Sequence, residues 1–584
     1  MAEDTSHGGL DRRSFLVLGA AAAGATVIPA AAASAATEEA RKKKPKPTAP
    51  NPFSLGVASG DPTPTSVILW TRLAPKPLDL DGGMGGKGTQ TVQYEIASDE
   101  RFSTIVRSGD VDAPADYGHS VHLDVQGLAP NTEYFYRFKY GKFVTEAART
   151  RTTPDLGQSV ESFVFGQTSC ANWQSGFYQL YEDLAAQRPD YWLALGDYIY
   201  EYANYNAKTK YGYVRADGKV LRPIPWDKEP ATLAEYRRQY GLYRGDPSLQ
   251  KLHRTAPYSV IWDDHEIDNN FTGGKSGGDG QKDRIAFEKR RAAGFQAFYE
   301  NHAIRLPDGP PGQMPASMRI YRRVDWGTLA SFLLLDGRQY RSDQPGDDTP
   351  QDFGRWVEGM FAADSTMLGA DQEAWLASQL ADSPGKWTFI AQQTVVSSLN
   401  GSVGALLPGL AAATANGIFN YDAWDGYWAA RSRLTSAIVD SKVRNAVVLT
   451  GDFHTNLTFD LLQSWPDPRD AATPDAMNQA VIDWDKPAIG TEICAGAISS
   501  PTFFEDPLLG YLAPNVRSRT PWVQYAEFGS NGYVLNHVTP EKLEVEYRIA
   551  KTNYKTSTPE GKPRTDTTIV VMDGVPGVSS PRKD

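Results

Sequence analysis

The spacing of apolar and polar positions changes character once along this chain of 584 residues. Between residue 51 and about 153 it runs in short, partly alternating segments: SVILWTRL (Ser66–Leu73), TVQYEIA (Thr91–Ala97), HSVHLDV (His119–Val125) and EYFYRFKY (Glu133–Tyr140). They are rich in β-branched and aromatic residues and are separated by turn residues, which predicts an all-β segment. From about residue 160 continuous apolar runs alternate with helical patterns, which predicts α/β layers. DQEAWLASQL (Asp371–Leu380) places Trp375, Leu376 and Leu380 at helical spacing, and FEKRRAAGFQAFYENH (Phe287–His302) reads as a second helix. Three stretches, about 203–230, 271–284 and 341–365, are long and loop-rich, as lids or substrate walls often are. There is no internal repeat.

Six of the apolar runs end in the same way. ESFVFGQTSC ends in Cys170, and YWLALGDYIY in Asp197 and Tyr200. YSVIWDDHE ends in Asp263, Asp264 and His265, LASFLLLDGRQY in Asp336 and Arg338. WTFIAQQTVV carries Gln392 and Gln393, and AVVLTGDFH ends in Asp452 and His454. Open α/β sheets bind ligands at the carboxyl ends of their strands. One such ending can be a capped turn; six together predict a site. A zinc ribbon is excluded because no paired CxxC is present. Phenolate and thiolate suit a trivalent iron, and carboxylate and amide oxygens suit Ca²⁺, Mg²⁺ or Mn²⁺. The mixture predicts two unlike metals with Asp197 shared between them, a pair able to clamp a phosphoryl group. Arg338 has the fork geometry for phosphate, with an ion pair to a neighbouring acid as the rival reading.

Charge and composition narrow the setting. There are 59 Lys and Arg against 70 Asp and Glu, a formal net charge of −11, which disfavours stable nucleic-acid binding. Asp11-Arg12-Arg13-Ser14-Phe15-Leu16 precedes an Ala-rich run ending near Ala33-Ser34-Ala35. This reads as a cleaved twin-arginine signal over 1–35, with a membrane anchor as the alternative. No later run is long and apolar enough to span a bilayer. The expectation is a protein exported by the twin-arginine machinery, secreted or held in the cell envelope, with no membrane span in its mature form. Residues 36–50 read as a flexible leader, 51–153 as the β segment, 160–560 as the catalytic domain and 561–584 as a polar tail. Cys170 and Cys494 are the two cysteines, and in an oxidising compartment a disulfide between them competes with metal ligation by Cys170.

GDYIYE, WDDHE and GDFH together resemble the PhoD-like alkaline phosphatases of the metallophosphoesterase superfamily, over roughly 51–560. The phrase YDAWDGYW (Tyr421–Trp428) and the twin-arginine signal belong to the same resemblance. It implies an α/β metallophosphoesterase-type β-sandwich flanked by helices. A small all-β fibronectin III/immunoglobulin-like domain would precede it, and GLAPNTEYFYRF (Gly127–Phe138) is similar to the strand corner of such domains. The resemblance implies iron at Cys170, Asp197, Tyr200 and His454, with the tyrosine as in purple phosphatases. It implies a second ion at Asp197, Asp264 and Asp452, and His265 beside the leaving oxygen. Asp264 stands where many relatives have Asn, Asp452 where many have His, and no VxxH is evident. Each departure brings in oxygen donors, which favours Fe³⁺ with Ca²⁺, or with Mg²⁺, Mn²⁺ or Zn²⁺ in place of calcium; Gln393 is the expected substitute for the missing His.

The function so implied is hydrolysis of small or polymeric phosphate esters, mono- or diesters, by a metal-bound hydroxide, with His265 and Arg338 as the catalytic side chains. The alternatives are a non-catalytic surface-binding protein built on the β segment, which leaves the six strand endings unexplained, and an iron-dependent oxidative enzyme, which the oxygen-rich second site argues against.

Overall fold

Five strands, Tyr191–Leu195, Tyr258–Ile261, Ala330–Leu334, Trp387–Ala391 and Ala446–Thr450, are buried at every position. Continuous apolar runs of this length are what a sheet covered on both faces requires. The period of two decides which face each residue serves. Tyr191 points between the two large sheets, 5.3 Å from the Phe332 ring, while Trp192 points to the helices, 5.1 Å from the His253 ring. The computed structural model describes residues 50–204, 220–277, 285–345, 358–398, 421–467, 469–470, 474–502, 520–550 and 562–580. The expected signal peptide, most of the leader and much of the three loop stretches (205–219, 278–284 and 346–357) lie outside these residues.

The first large sheet has nine strands, in the order Arg564–Met572, Lys542–Ala550, Asn531–Val538, Phe163–Thr168, Tyr191–Leu195, Tyr258–Ile261, Val57–Gly60, Ser66–Arg72, Ser120–Gln126. The second has seven, in the order Arg322–Trp326, Ala330–Leu334, Trp387–Ala391, Ala446–Thr450, Ala488–Cys494, Asn456–Leu462, Val523–Glu527. Phe163, Phe165, Phe332 and Phe389 fill the space between them, with Phe332 and Phe389 stacked at 4.9 Å. Helices Ala370–Ala381 and Trp428–Ser441 cover the outside of the second sheet, where Leu376, Leu380, Leu434 and Ile438 share a core with Leu333, Ile390 and Val448. The two helices expected from spacing are present, as Phe287–Asn301 and Ala370–Ala381.

Three central strands of the first sheet are mutually parallel, and so are four of the second. A parallel bridge, Ser169↔Ala497, joins the sheets where their strands end. The carboxyl ends of both sets therefore open onto one place.

The β segment is built of strands, and it shares a sheet with the part that follows it. Val57–Gly60 pairs in parallel with Tyr258–Ile261, so three of its strands extend the nine-stranded sheet. Gly60 permits the junction, because a Cβ there would lie 1.9 Å from the Ala303 carbonyl oxygen. Its remaining strands form a five-stranded sheet packed over Val67, Leu69, Val92, Ile96, Tyr136 and Phe138. The corner suggested by GLAPNTEYFYRF is present: the Ala129 amide donates to the Tyr134 hydroxyl at 2.9 Å. Residues 561–584, expected as a tail, contribute the edge strand Arg564–Met572 instead. Its alternation, with Thr567, Ile569 and Val571 buried, pairs it with Lys542–Ala550.

Candidate metal centre

Three of the turns after strands carry donors in an uncommon backbone state. Cys170, Asp197, Asp452 and His454 all have left-handed φ, between +53° and +58°. Non-glycine residues take this conformation at a cost of order 1 kcal/mol, and such residues cluster at functional sites. The fold sustains it by tying the turns together. The Glu266 carboxylate accepts the backbone N–H groups of Asp197 (3.1 Å), Tyr198 (2.6 Å), Ile199 (3.3 Å) and Asp263 (2.7 Å). Gly196 lets the same turns approach, since a Cβ there would lie 2.4 Å from Asp263 Cβ.

Three donor groups result, each with ligand atoms within 4.8 Å of one another: Cys170, Asp197 and His454; Asp197, Asp264 and His265; Asp263, Asp264 and Asp452. Asp197 belongs to the first two and Asp264 to the last two. Tyr200 adjoins the first group. Its hydroxyl donates to Asp197 Oδ2 at 2.7 Å and lies 3.1 Å from His454 Nε2. His454 Nδ1 donates to the Pro501 carbonyl at 2.7 Å, which turns Nε2 toward the donors. The two cysteines are free, so the disulfide alternative is not adopted; Cys494 is buried with its Sγ 3.5 Å from the Gly451 carbonyl.

The charge balance of this cluster fits bound cations. Burial, outweighing the nearby His265, holds the Asp197 carboxyl well above the usual range, with Asp264, Asp263 and Glu266 adding to the rise. Burial likewise raises Asp263, against the pull of Arg338, and lifts Asp452 to about 7. Burial pushes Asp264 up too, but Arg338, His265, the Asn270 amide and Arg341 outweigh it and hold that carboxyl below its ordinary value. Burial raises the Cys170 thiol and the Tyr200 phenol and lowers His454 to about 4. Asp197 Oδ1 and Asp263 Oδ2 are buried without a hydrogen-bond partner. Buried carboxylates carry a large desolvation cost unless paired or bound to metal, and thiolate, phenolate, imidazole and carboxylate are all metal donors. The donor set fits the ions expected.

Two expected site residues are placed otherwise. Arg338 was expected on phosphate, but it is 0% exposed. Its Nε donates to Asp263, and its other nitrogens lie 2.7 Å from Asp422, 3.7 Å from Asp264 and 3.8 Å from Asp452. The ion-pair reading prevails, because the acids that converge on it would otherwise be uncompensated. Gln393 was expected as a ligand, but its amide bridges strand ends: Oε1 accepts the Gly337 amide at 3.0 Å, and Nε2 donates to Trp262 O at 2.8 Å and Leu335 O at 3.1 Å. The neighbouring Gln392 is engaged in the same way with Thr394 and the Trp424 indole.

Three side chains beside the donors escape sequence reasoning. Glu201 accepts from His265 Nδ1 at 2.7 Å and from the Asn269 amide at 2.9 Å. Its place in GDYIYE, one residue past Tyr200, was the available signal. Asp422 joins Arg338 to Arg341, and it lies in the phrase YDAWDGYW, which the resemblance includes without giving this residue a role. Ser500 donates to the Tyr200 oxygen at 2.8 Å, with nothing in AISSPT to announce it.

With this geometry in view, comparison with known proteins is decisive. The model of the PhoD-like phosphatase family matches residues 163–547, and that of its N-terminal domain matches residues 36–154. This chain belongs to the PhoD-like phosphatases. It is 36% identical over 514 residues to alkaline phosphatase D of Bacillus subtilis (strain 168), spanning 86% of this chain and 79% of the relative. The solved structure entitled "Structure of PhoD" superposes with a TM-score of 0.77 at 33% identity, covering 91% of this chain and 93% of the other. As a PhoD-like phosphatase the chain is a hydrolase of phosphate esters with a β-rich metallophosphoesterase-type fold. Among the described residues no helix is long and apolar enough to cross a membrane.

Proposed function

We propose that this phosphatase is an exported phosphoesterase, acting on mono- or diesters, with a binuclear centre of ferric iron and calcium. Cys170, Asp197, Tyr200 and His454 would hold the iron, and Asp197, Asp264 and Asp452 the calcium. The observation that carries this reading is the sharing of Asp197 between two adjacent donor groups, one bearing the thiol and imidazole and the other only carboxylates and His265. Thiol, phenol and imidazole on one side, and on the other carboxylates that continue through Asp264 to Asp263 and Asp452, suit unlike ions.

When bound, the ions supply positive charge to the phosphoryl oxygens and favour ionisation of a water molecule. The chain's own groups do the rest. His265 is held by Glu201 through Nδ1, so Nε2, 3.5 Å from the Tyr202 hydroxyl, is the atom that would meet the leaving oxygen and donate a proton to it. Arg338 sits behind Asp263, Asp264 and Asp452 and keeps three like charges close enough to act together. The route of export rests on Arg12 and Arg13 ahead of the Ala-rich run.

The test is hydrolysis of a chromogenic phosphate monoester and diester by the purified mature protein, before and after chelation. Calcium, magnesium and zinc are then added back separately, and metal content is measured in parallel. We expect iron to be retained and activity to return best with calcium. Restoration by zinc or magnesium alone would reject calcium while keeping the hydrolase. Replacing Arg12 and Arg13 with lysines should trap the protein inside the cell; continued export would reject the twin-arginine route.

A further inference from the structure

The segment Ser499–Ser500–Pro501 touches three of the four residues proposed for the iron, His454 and Tyr200 by their side chains and Cys170 by its backbone carbonyl. Pro501 takes the Nδ1 proton of His454. The amides of Ser499 and Ser500 donate to the Cys170 carbonyl at 3.3 and 3.2 Å. The Ser500 hydroxyl lies 2.8 Å from the Tyr200 oxygen and 2.9 Å from the Cys170 carbonyl oxygen.

Ser500 is rigidly held. It is 0% exposed, and its carbonyl accepts from Asn531 Nδ2 at 2.8 Å. The Asn172 amide donates into its hydroxyl oxygen at 3.2 Å. A serine hydroxyl has one proton and can rotate between acceptors. Here it has two, a neutral carbonyl and the Tyr200 oxygen. When Tyr200 gives up its proton to bind a metal, its oxygen becomes the stronger acceptor, because hydrogen bonds to an ionised group are roughly twice as strong as neutral ones. Asn172 N–H, Ser500 O–H and Tyr200 O then form a chain whose links reinforce one another.

We propose that Ser500 is a positioning residue for the metal centre, whose hydroxyl donates to the Tyr200 phenolate and withdraws electron density from it. The inference deepens the proposed function and rests on Tyr200 being a ligand of ferric iron. A hydrogen bond to the phenolate lowers the energy of its donor electrons. It therefore raises the energy of the phenolate-to-iron absorption band and weakens the ligand. Outer groups of this kind tune a metal as well as orient its ligands.

The experiment compares visible absorption of the iron-containing wild type, Y200F, S500A and S499A. Ser499 is the control: it is equally buried, and its hydroxyl donates to the Asn172 carbonyl at 2.7 Å and not to Tyr200. We expect a band in the wild type that is lost in Y200F, moves to longer wavelength in S500A and stays in place in S499A. A band present in the wild type but unmoved in S500A, or moved equally in S499A, would overturn the role of Ser500 and leave the iron centre standing. Absence of a Tyr200-dependent band from the iron-replete wild type would overturn the phenolate–iron reading and this inference with it.

Discussion

Glu201 and Arg338 both act through other side chains, and their substitutions separate orientation from charge. Glu201 holds the imidazole of His265 by Nδ1 and is 1% exposed. E201Q keeps the volume and an oxygen for the Asn269 amide but can present a donor where His265 needs an acceptor. Loss of an orienting partner of this kind costs about 10–100-fold in activity. We expect kcat to fall within that range with KM and the thermal midpoint little changed; unaltered kcat would remove Glu201 from the mechanism. Arg338 is the opposite case. R338M leaves Asp263, Asp264, Asp422 and Asp452 facing one another without their shared cation. Removing one partner of a buried ion pair costs about 3–5 kcal/mol, so R338M should unfold at markedly lower denaturant and retain less of the second metal. A variant with wild-type stability and a raised KM alone would restore the phosphate-binding reading that the structure disfavours.

At the scale of elements, the site is a property of strand ends, and that is why so much of it was legible. A buried parallel strand must be apolar throughout, so the first charged or ligating residue marks where it emerges. Cys170, Asp197, Asp264, His265, Asp452 and His454 were found by that break, and the structure brings them together. The same rule misled for Arg338 and Gln393. Both follow strand ends, yet they serve the acids and backbone behind the site, a distinction set by tertiary direction and not by residue type. Ser500 and Asp422 lie in loops that meet the site only through long-range packing, so no local pattern reports them. The turns themselves are testable. In G196A the new methyl would meet Asp263 Cβ at 2.4 Å and its amide nitrogen at 2.8 Å, at a φ of +93° that side chains rarely take. Overpacking of this kind costs about 1–3 kcal/mol before the backbone strain is added. The expected result is a lowered unfolding midpoint together with weaker metal retention, because the shifted turns carry Asp197 and Asp264. A midpoint lowered with metal content intact would show that the turn is needed for folding alone.

For the molecule as a whole, the β segment was legible as strands but not as part of the large sheet, because its attachment rests on pairing across about 200 residues, between Gly60 and Tyr258. That junction is lined by histidines whose burial links stability to pH. His302 is 0% exposed, with Nδ1 2.9 Å from the Tyr258 hydroxyl, and His253 is 1% exposed, with Nε2 2.7 Å from the Tyr198 hydroxyl. Burial holds both well below the ordinary imidazole value, helped by Arg244, which also donates to Tyr198 and stacks on Trp70; His122 and Arg322 add to the effect at His302. A histidine depressed in the folded state stays neutral there while its unfolded counterpart takes up a proton. The unfolded chain then binds more protons, so stability is complete above about pH 6.5 and declines as pH falls below it. Each such group costs about 1.4 kcal/mol per pH unit in that range. The raised carboxyls of Asp197, Asp263 and Asp452 act in the opposite sense, gaining a proton in the folded state first, so the histidine contribution must be read by difference. H302N retains a polar atom near the position of Nδ1 but cannot titrate. It should be less stable than the wild type at pH 8 and should lose stability more slowly between pH 6.5 and 5.5, so that the two denaturation curves converge toward acid. A gap independent of pH would mean that His302 supports the junction by packing alone, and the acid sensitivity of the fold would then have to arise elsewhere.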